Sequence, residues 1–286
     1  MVHIKDDIES LDKKIGKEVK VCGWIFRLRD LGKIVFWRVI DSTGETQVVF
    51  KRGEIPDEMF NKAKKATLMS AVIIKGTVRP AKTKGGKEIV PREITIIPAD
   101  PVLPIDPINR TSTLAQRLNY RSIDLRDPKV NAIFHIRSLI AQAFREYLTS
   151  LGFVEIHTPA ISLYSAEGGA EVFKVKYFDR TAYLRQSPQL YKQLAVAGLE
   201  KVFEIGPAFR AEKHWTIRHL CEFTSMDIEV AWIEDIEPLL ELAEGVIKYI
   251  FEKLKKDGKK YFELSLIHIS EPTRPRLSSY AVFCLK

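Results

Sequence analysis

The chain has 286 residues, of which 45% are hydrophobic and 29% charged, a composition that excludes a disordered protein. This length exceeds the usual size of a single core and predicts two domains. Its 45 lysines and arginines against 37 aspartates and glutamates give a net charge of +8, which favours an anionic partner such as nucleic acid. Cys22, Cys221 and Cys284 are too few and too scattered for a disulfide framework or a zinc site. Without an apolar leader or a long apolar stretch, the sequence predicts a cytoplasmic protein with no membrane partner.

The first hundred residues are predicted to form short strands and one helix. β-Branched and aromatic residues indicate strands at 19–26, 34–40, 46–50, 70–78 and 93–97, with a helix at 56–66 and a Lys/Gly-rich hairpin at 82–87. Five short strands with a helix after the third fit a small closed barrel of the OB type. A generic small β-domain fits the pattern equally well.

Residues 98–128 differ in character from the segments on either side. Four prolines predict an extended linker here: Pro98, Pro101, Pro104 and Pro107. Asp127 and Pro128 then predict the N-cap and first residue of an amphipathic helix that stops at Gly152. Further strands are predicted at 154–156, 172–177, 182–184, 202–210 and 220–232, followed by a helix at about 238–256. This order predicts an α+β domain built on an antiparallel sheet.

The last two strands, 202–210 and 220–232, and the loop between them carry the side chains that suggest chemistry. Arg210 and Arg218 flank this loop, and each guanidinium is a permanently charged fork suited to phosphate oxygens. Phe223 offers a flat face for a base, and Glu212 can accept a hydrogen bond from an exocyclic amine. Period-two alternation places one set of residues on a single face of the second strand: Phe223, Ser225, Asp227 and Glu229. The pattern fits a polar ligand cavity and, equally, an exposed salt-bridged hairpin.

Several ordered motifs resemble those of the archaeal/eukaryotic type of class II aspartyl-tRNA synthetases. GFVEIHTP at 152–159 resembles motif 1, and FRAE at 209–212 with RHLCEF at 218–223 resembles motif 2. EGG at 167–169 and QSPQLYKQ at 186–193 match the aspartate-binding segments of that family, and residues 117–126 resemble its hinge. The resemblance covers roughly residues 15–263.

The resemblance implies a multidomain fold. An N-terminal OB-fold β-barrel for the anticodon is expected at residues 1–100 and a hinge or linker at 101–128. A partial class II synthetase catalytic domain, an α+β antiparallel-sheet fold with motifs 1 and 2, is expected at 129–263. Pro159 of motif 1 is expected in the interface of a homodimer.

The activity implied is ATP-dependent activation of L-aspartate to aspartyl-adenylate, assisted by Mg²⁺, and transfer to the 3′ end of tRNA(Asp). Arg210 is expected to be catalytic, because in the family this arginine contacts both the aspartate carboxylate and the ATP α-phosphate. The implied ATP-binding set is Arg210, Ala211, Glu212, Arg218, His219, Leu220 and Phe223. The implied aspartate-binding set is Glu167, Gln189, Lys192 and Arg210.

Lys192 is the residue expected to select aspartate. A carboxylate in a dry pocket needs a fixed positive partner, because burying it unpaired costs several kcal/mol. Asparaginyl-tRNA synthetases resemble the chain throughout this region but lack a lysine at the equivalent place. An asparaginyl-tRNA synthetase and a noncatalytic OB-fold tRNA-binding protein are the two alternative functions.

The barrel is expected to read the anticodon, because OB folds stack single-stranded bases on aromatic residues within a basic groove. The resemblance implies that Phe36 stacks on a base and Gln47 binds its edge, with further contacts from Arg27, Arg29 and Lys33. Phe36 and Trp37 alternate in direction, so one of them must be core.

Three barrel positions bear on which tRNA is recognised. Ile40 stands where family members usually carry an arginine, so one anticodon contact is expected to be lost. Phe26 and Lys84 stand where relaxed members, which also charge tRNA(Asn), tend to have His and Pro. These two positions favour the strict form, with tRNA(Asn) left open as a second substrate.

Residues 264–286 are expected to be a non-native tail. LSLIHISEPTR at 264–274 resembles the conceptual translation of a sequencing-library adapter, and SYAVFCL at 279–285 resembles the flow-cell end that follows it. The resemblance places motif 3, the Mg²⁺-binding glutamate and the arginine that pairs the substrate side chain beyond residue 263. The chain as written is therefore expected to be unable to form adenylate and to bind no metal through its own residues.

Overall fold

The computed structural model describes residues 4–81, 85–108, 111–164, 171–213 and 220–265. The chain divides into two compact units, one built mainly from residues up to Phe134 and the other from His135–Lys260. Among the helices in these described ranges, none combines the length and the apolar character needed to cross a bilayer.

A closed five-stranded barrel forms the first unit. Its elements are a 3-10 helix (Ile8–Lys14), β1 (Glu18–Asp30), β2 (Ile34–Ile40), β3 (Glu45–Lys51), α1 (Asp57–Lys65), β4 (Ala71–Pro80) and β5 (Lys87–Ile97). The strand order is β1-β2-β3-β5-β4, with β1 also paired to β4 and with β3 and β5 parallel. The predicted OB-type barrel is therefore confirmed.

Alternation along β2 as far as Val39, and along the whole of β3, separates the barrel interior from its surface. Val35, Trp37 and Val39 are fully buried, and Val48 and Phe50 face them from β3. Trp37 donates a hydrogen bond from Nε1 to the carbonyl oxygen of Ala63, at 3.0 Å, and its ring centroid lies 4.5 Å from that of Phe50. Trp37 is therefore the core aromatic, and alternation directs its neighbour Phe36 outward.

Two short helices interrupt the segment predicted to be an extended linker: α2 (Leu114–Asn119) and α3 (Arg121–Asp124). Thr113 Oγ1 accepts a hydrogen bond from the amide of Gln116, and Gln116 Oε1 accepts one from the amide of Thr113. This reciprocal capping box starts α2 once the proline-rich stretch has ended at Pro107. Both helices lie within the linker predicted at 101–128, after the stretch that its prolines space.

The second unit contains the remaining elements. They are α4 (Pro128–Ser150), β6 (Val154–Glu155), β7 (Ile161–Ser162), β8 (Lys174–Tyr177), β9 (Arg180–Leu184), α5 (Gln189–Leu199), β10 (Lys201–Phe209), β11 (Glu222–Val230), α6 (Glu237–Asp257) and α7 (Lys259–Ser265). The first residues of α4 and the last residues of α7 belong to the first unit. Asp127 Oδ1 accepts a hydrogen bond from the amide of Lys129 at 2.8 Å, and Gly152 has a φ of +80° two residues after α4 ends. Both predicted ends of this helix are confirmed.

A three-stranded sheet of order β11-β10-β6 forms the centre of this unit. One face of the sheet packs against α4 and α6 through Phe144, Leu148, Phe203 and Val246. A second small sheet has the order β7-β9-β8. The structure thus has the predicted α+β architecture. The long antiparallel pair β10–β11 packs against the helices through its apolar face.

Candidate functional site

The β10–β11 pair presents its polar residues on the face opposite the core. The register sets Glu204 opposite Asp227, Gly206 opposite Ser225 and Ala208 opposite Phe223. Met226, Ile228 and Val230 turn to the other side and join the core. The predicted division of β11 into a polar and an apolar face is therefore confirmed.

Lys192 lies against the polar face from the first turn of α5 and is 4% exposed. Its Nζ is 3.3 Å from Glu229 Oε2 and 3.5 Å from Asp227 Oδ1, and it donates a hydrogen bond to the carbonyl oxygen of Ile228 at 3.3 Å. Gln189, three residues earlier on the same side of the helix, donates from Nε2 to the carboxylate of Glu229 at 3.3 Å. The structure thus places two of the predicted aspartate-binding residues together.

The Lys192 cluster consists of Gln189, Lys192, Asp227 and Glu229. One ammonium group faces two carboxylates, so the ionised cluster is net negative rather than positive. Its acids favour an ammonium group of a ligand, whereas a ligand carboxylate must share Nζ with them. A second cation is therefore needed if the cluster is to favour an aspartate side chain over asparagine.

Arg210 lies beyond the end of β10, near the other end of the polar face. Its amide donates to the carbonyl oxygen of Cys221 at 2.9 Å, and its guanidinium carbon is 5.7 Å from the ring centroid of Phe223. Its Nε is buried and has no hydrogen-bond partner among the described residues. A buried guanidinium donor without an acceptor is well suited to a ligand carboxylate or phosphate.

The length of β11 sets the distance between the Lys192 cluster and the Arg210–Phe223 contact. Phe223 and Asp227 are four positions apart, which corresponds to about 13 Å along an extended strand. An amino acid and a nucleotide placed end to end can span this separation. The arrangement offers hydrogen bonds and charge at both ends of one face.

The other predicted site residues are less closely connected. The amide of Ala211 donates to the carbonyl oxygen of Glu171 at 2.9 Å, Glu212 is half-buried and Leu220 is 64% exposed. Pro159 is exposed. Three predicted residues lie outside the described ranges: Glu167, Arg218 and His219. The roles of all these residues stay predictions.

Sequence reasoning missed a buried charge pair on the polar face. Arg185 Nη1 is 2.7 Å from Glu204 Oε1, and Arg185 Nε donates to the carbonyl oxygen of Pro207 at 2.7 Å. Thr158, at the end of motif 1, donates from Oγ1 to Glu204 Oε2 at 2.7 Å. One signal was available, because an acid within the apolar run of β10 requires a buried partner.

A basic groove on the barrel gathers most of the predicted anticodon residues. It has a volume of about 560 Å³ and is lined by Arg27, Leu28, Arg29, Phe36, Arg38 and Gln47. Lys33 lies in the exposed turn between β1 and β2 and does not line it. Arg38 was not predicted as a groove residue. It follows the core residue Trp37, so strand alternation directs Arg38 to the surface, and this was the signal that could have identified it.

Gln47 is held in the groove by a residue of the neighbouring strand. Its Nε2 donates to Glu88 Oε2 at 3.2 Å. Because an ionised carboxylate only accepts hydrogen bonds, this contact fixes which end of the amide faces Glu88. Ile40 is 1% exposed, so its side chain supplies no polar contact in place of the arginine usual in the family. Lys84 lies outside the described residues.

Comparisons with known proteins agree with both units. Residues 113–282 match the family described as tRNA synthetases class II (D, K and N), and residues 19–97 match an OB-fold nucleic acid binding domain. The first match includes most of the segment from residue 264 onward, and the interpretation of that segment as a non-native tail stays a prediction.

Named relatives share substantial sequence identity with the chain. It is 46% identical over 265 residues to the aspartate–tRNA(Asp/Asn) ligase of Aeropyrum pernix, covering 91% of this chain and 60% of that protein. It is 43% identical over 271 residues to the aspartate–tRNA(Asp) ligase of Pyrococcus horikoshii, covering 93% and 62%.

A solved structure is also similar to this fold. The asparaginyl-tRNA synthetase from Pyrococcus horikoshii complexed with asparaginyl-adenylate has a TM-score of 0.87 and 35% identity, covering 92% of this chain and 61% of that one. The chain therefore spans about 60% of the length of the curated relatives it matches. Because the synthetase match covers more than half of the chain, the chain belongs to the class II tRNA synthetases of the D, K and N group.

Proposed function

We propose that this chain belongs to an aspartate–tRNA ligase, which activates L-aspartate with ATP and transfers it to the 3′ end of tRNA(Asp). The observation that carries the proposal is the shared face of β10–β11, with the Lys192 cluster at one end and the orphaned Nε of Arg210 near the other. The two relatives described above are both named aspartate ligases. Charging of tRNA(Asn) as well stays open, because the name of one relative includes it.

The first step is an in-line displacement at phosphorus. An oxygen of the aspartate α-carboxylate bonds to the α-phosphorus of ATP, the bond to pyrophosphate breaks, and aspartyl-adenylate forms. Arg210 would donate from its unpaired Nε to the oxygens on which charge develops. Phe223 would offer the adenine ring a flat surface, and Glu212 and Leu220 would border the nucleotide.

The second step is acyl transfer. A ribose hydroxyl of the terminal adenosine of tRNA attacks the aspartyl carbonyl carbon, and AMP leaves. No protein nucleophile is needed, so positioning of the reactants accounts for most of the rate enhancement. Mg²⁺ would neutralise phosphate charge, but the described residues contain no group of three or more His, Cys, Asp or Glu able to hold it. Its ligand is expected beyond residue 263.

Selectivity for aspartate over asparagine depends on the charge balance around Lys192. Lys192 favours aspartate, but the two carboxylates beside it offset its charge. The resemblance expects a further arginine downstream of residue 263, which would restore the positive balance. The second candidate, an asparaginyl-tRNA synthetase, is favoured by the similarity of this fold to a structure of that name.

The groove on the barrel supports the proposal that the tRNA anticodon binds there. Arg27, Arg29, Phe36 and Gln47 line it together, which combines cations, a stacking surface and a base-reading amide. Pro159 is proposed to contact a second copy in a homodimer, since motif 1 has that role in the family. A cytoplasmic location completes the proposal.

The test is binding of two non-hydrolysable analogues, aspartyl-adenylate and asparaginyl-adenylate, measured by calorimetry on the whole chain. Lys192→Met should shift the ratio of the two affinities about tenfold towards the asparaginyl analogue, because it removes the cation that faces the ligand side chain. Because Lys192→Met can destabilise the unit, Gln189→Ala provides a second, milder variant whose affinity should also fall. Each variant's melting temperature shows whether it is folded.

The other outcomes decide between the alternatives. Preference for the asparaginyl analogue that Lys192→Met does not increase would replace the proposal with an asparaginyl-tRNA synthetase. Binding of RNA without either analogue would indicate a noncatalytic tRNA-binding protein. The chain as written is proposed to lack pyrophosphate exchange activity, and aspartate-dependent exchange would contradict that part alone.

A further inference from the structure

Four polar residues form one row across the barrel. Arg27 of β1 pairs with Arg38 of β2, Arg38 pairs with Gln47 of β3, and Gln47 pairs with Glu88 of β5. Directly opposite residues of neighbouring strands have their Cβ atoms about 5 Å apart on the same face. The row therefore crosses the basic groove, and the proposed function assigns no role to Arg38.

Arg38 is engaged by an acid at the edge of the groove. Its Nη2 is hydrogen-bonded to Glu45 Oε1, and the two side chains are 30% and 49% exposed. Glu45 precedes Gln47 by two residues on β3, so both residues project from the same face. Arg38 lines the groove, whereas Glu45 does not.

The contact has an electrostatic reason. Arg27 and Arg38 are directly opposite one another, and like charges at such positions repel. A carboxylate next to Arg38 offsets that repulsion in the free protein. Because the ion pair is exposed, it contributes little to folding stability, and exchanging Glu45 for another anion costs little. An RNA phosphate offers the same charge, and the guanidinium fork can bind two of its oxygens.

We infer that Arg38 is a further RNA-binding residue of the barrel and that Glu45 is an internal counter-ion which an RNA phosphate displaces. The inference rests on the proposed anticodon-binding function. Glu45 then lowers the affinity for RNA in two connected ways, by occupying Arg38 and by having to move away. Since phosphates carry no sequence information, this reduction applies to every RNA that fills the groove.

The experiment measures binding of the anticodon stem–loop of tRNA(Asp) to the whole chain by fluorescence anisotropy, over a series of salt concentrations. Arg38→Gln should weaken binding about tenfold, as expected for the loss of one charged hydrogen bond. The dependence of log Kd on log salt should become shallower by about 0.7, the value for one phosphate contact on a single strand. Glu45→Gln should tighten binding by about threefold to tenfold.

The double variant separates two explanations for the effect of Glu45. If Glu45 acts through Arg38, Glu45→Gln should tighten binding much less when Arg38→Gln is already present. An equal gain in both backgrounds would mean that Glu45 simply repels RNA, and would overturn the counter-ion assignment.

Glu93→Gln is the matched control. Glu93 forms a comparable exposed ion pair with Lys75, at 2.9 Å, on β4 and β5, and neither residue lines the groove. Glu93→Gln changes the net charge by the same amount as Glu45→Gln, and it should alter Kd by less than about twofold. Equal tightening by both variants would reduce the effect to overall charge and overturn the inference.

Phe36→Leu distinguishes this inference from the proposed function. If Phe36→Leu weakens binding and Arg38→Gln does not, the inference fails while anticodon binding by the barrel stands. If the unaltered chain does not bind the stem–loop, the proposed function of the barrel fails and the inference with it. Melting temperatures of all variants confirm that each barrel is folded.

Discussion

Arg185 and Glu204 form an ion pair that is almost fully removed from solvent, with Nη1 2.7 Å from Oε1 and each side chain 3% exposed. Arg185 also donates to the carbonyl oxygens of Thr158 and Pro207, at 3.0 and 2.7 Å. The guanidinium of Arg185, the residue just before the segment 186–193, therefore joins the end of motif 1 to β10. Arg185 lies four residues before α5, the helix that carries Lys192.

Glu204→Gln should lower the free energy of unfolding by about 3–5 kcal/mol, because it leaves the buried guanidinium of Arg185 without a counter-charge. Urea unfolding followed by circular dichroism measures the loss. The matched control is Arg145→Gln, which breaks an exposed pair with Glu155 at 2.9 Å and should cost about 0–1 kcal/mol. Equal losses in the two variants would contradict a special role for the buried pair.

Gly206→Ala should destabilise the same pair without removing a charge. A Cβ at this position would lie 2.2 Å from Arg185 Nη2 and 2.8 Å from Glu204 Oε1. The other hydrogen bonds of Arg185 restrain its guanidinium, so the loss should be about 1–3 kcal/mol in urea unfolding, as for overpacking.

Gly198→Ala is the control for that substitution. Gly198 lies within α5, where a Cβ would meet no described atom within 4 Å. Alanine should therefore be neutral or stabilise the chain by about 0.5–1 kcal/mol, as expected within a helix. An unchanged stability of Gly206→Ala would show that the guanidinium moves aside at little cost.

Phe36 and Trp37 should respond in opposite ways to substitution. Phe36→Leu should weaken RNA binding by about 1–3 kcal/mol, the value of one stacked base, with little change in stability. Trp37→Phe should leave the carbonyl oxygen of Ala63 without its indole donor and lower stability by about 1–3 kcal/mol. Fluorescence anisotropy and urea unfolding measure the two effects. Loss of stability in Phe36→Leu would place that ring in the core.

Alternation and capping allowed most of the barrel and α4 to be predicted from sequence. The strand predicted at 34–40 is β2 at its observed bounds, and its buried and outward residues alternate as far as Val39. Helix α5 was not predicted, since Leu190 and Leu194 on it are 43% and 73% exposed and no apolar stripe marks it. The linker helix α2 was missed although its capping box, Thr113 with Gln116, is readable in the sequence.

The contacts of the site depend on long-range register and could not be read locally. Lys192 meets Asp227 and Glu229 across about 35 residues of chain, a juxtaposition that only the packing of α5 on β11 creates. The resemblance assigned Lys192 to the ligand, but the two acids that offset its charge became visible only in the structure. The row from Arg27 to Glu88 likewise depends on the closure of the barrel, which brings β3 and β5 together.

Acid should weaken the barrel through Asp41, which follows β2 directly. Burial would raise the pKa of Asp41, but hydrogen bonds from Lys5, from the hydroxyl and amide of Thr43 and from the amide of Ile8 outweigh it and lower the pKa below its ordinary value. A pKa that is lower in the folded state gives stability that is fully present above the unfolded-state pKa, about 3.9. This stability is lost as the pH falls through the folded-state pKa.

Asp41→Asn should therefore be less stable than the unaltered chain near neutral pH, with the difference shrinking below about pH 4. Urea unfolding at a series of pH values from neutral to acid measures this difference. The control is Asp57→Asn, whose side chain is 72% exposed and should change stability by less than about 0.5 kcal/mol. A difference for Asp41→Asn that stays constant through the acid range would mean that the carboxylate charge does not matter, and that the shape of the side chain alone holds the 3-10 helix to the turn between β2 and β3.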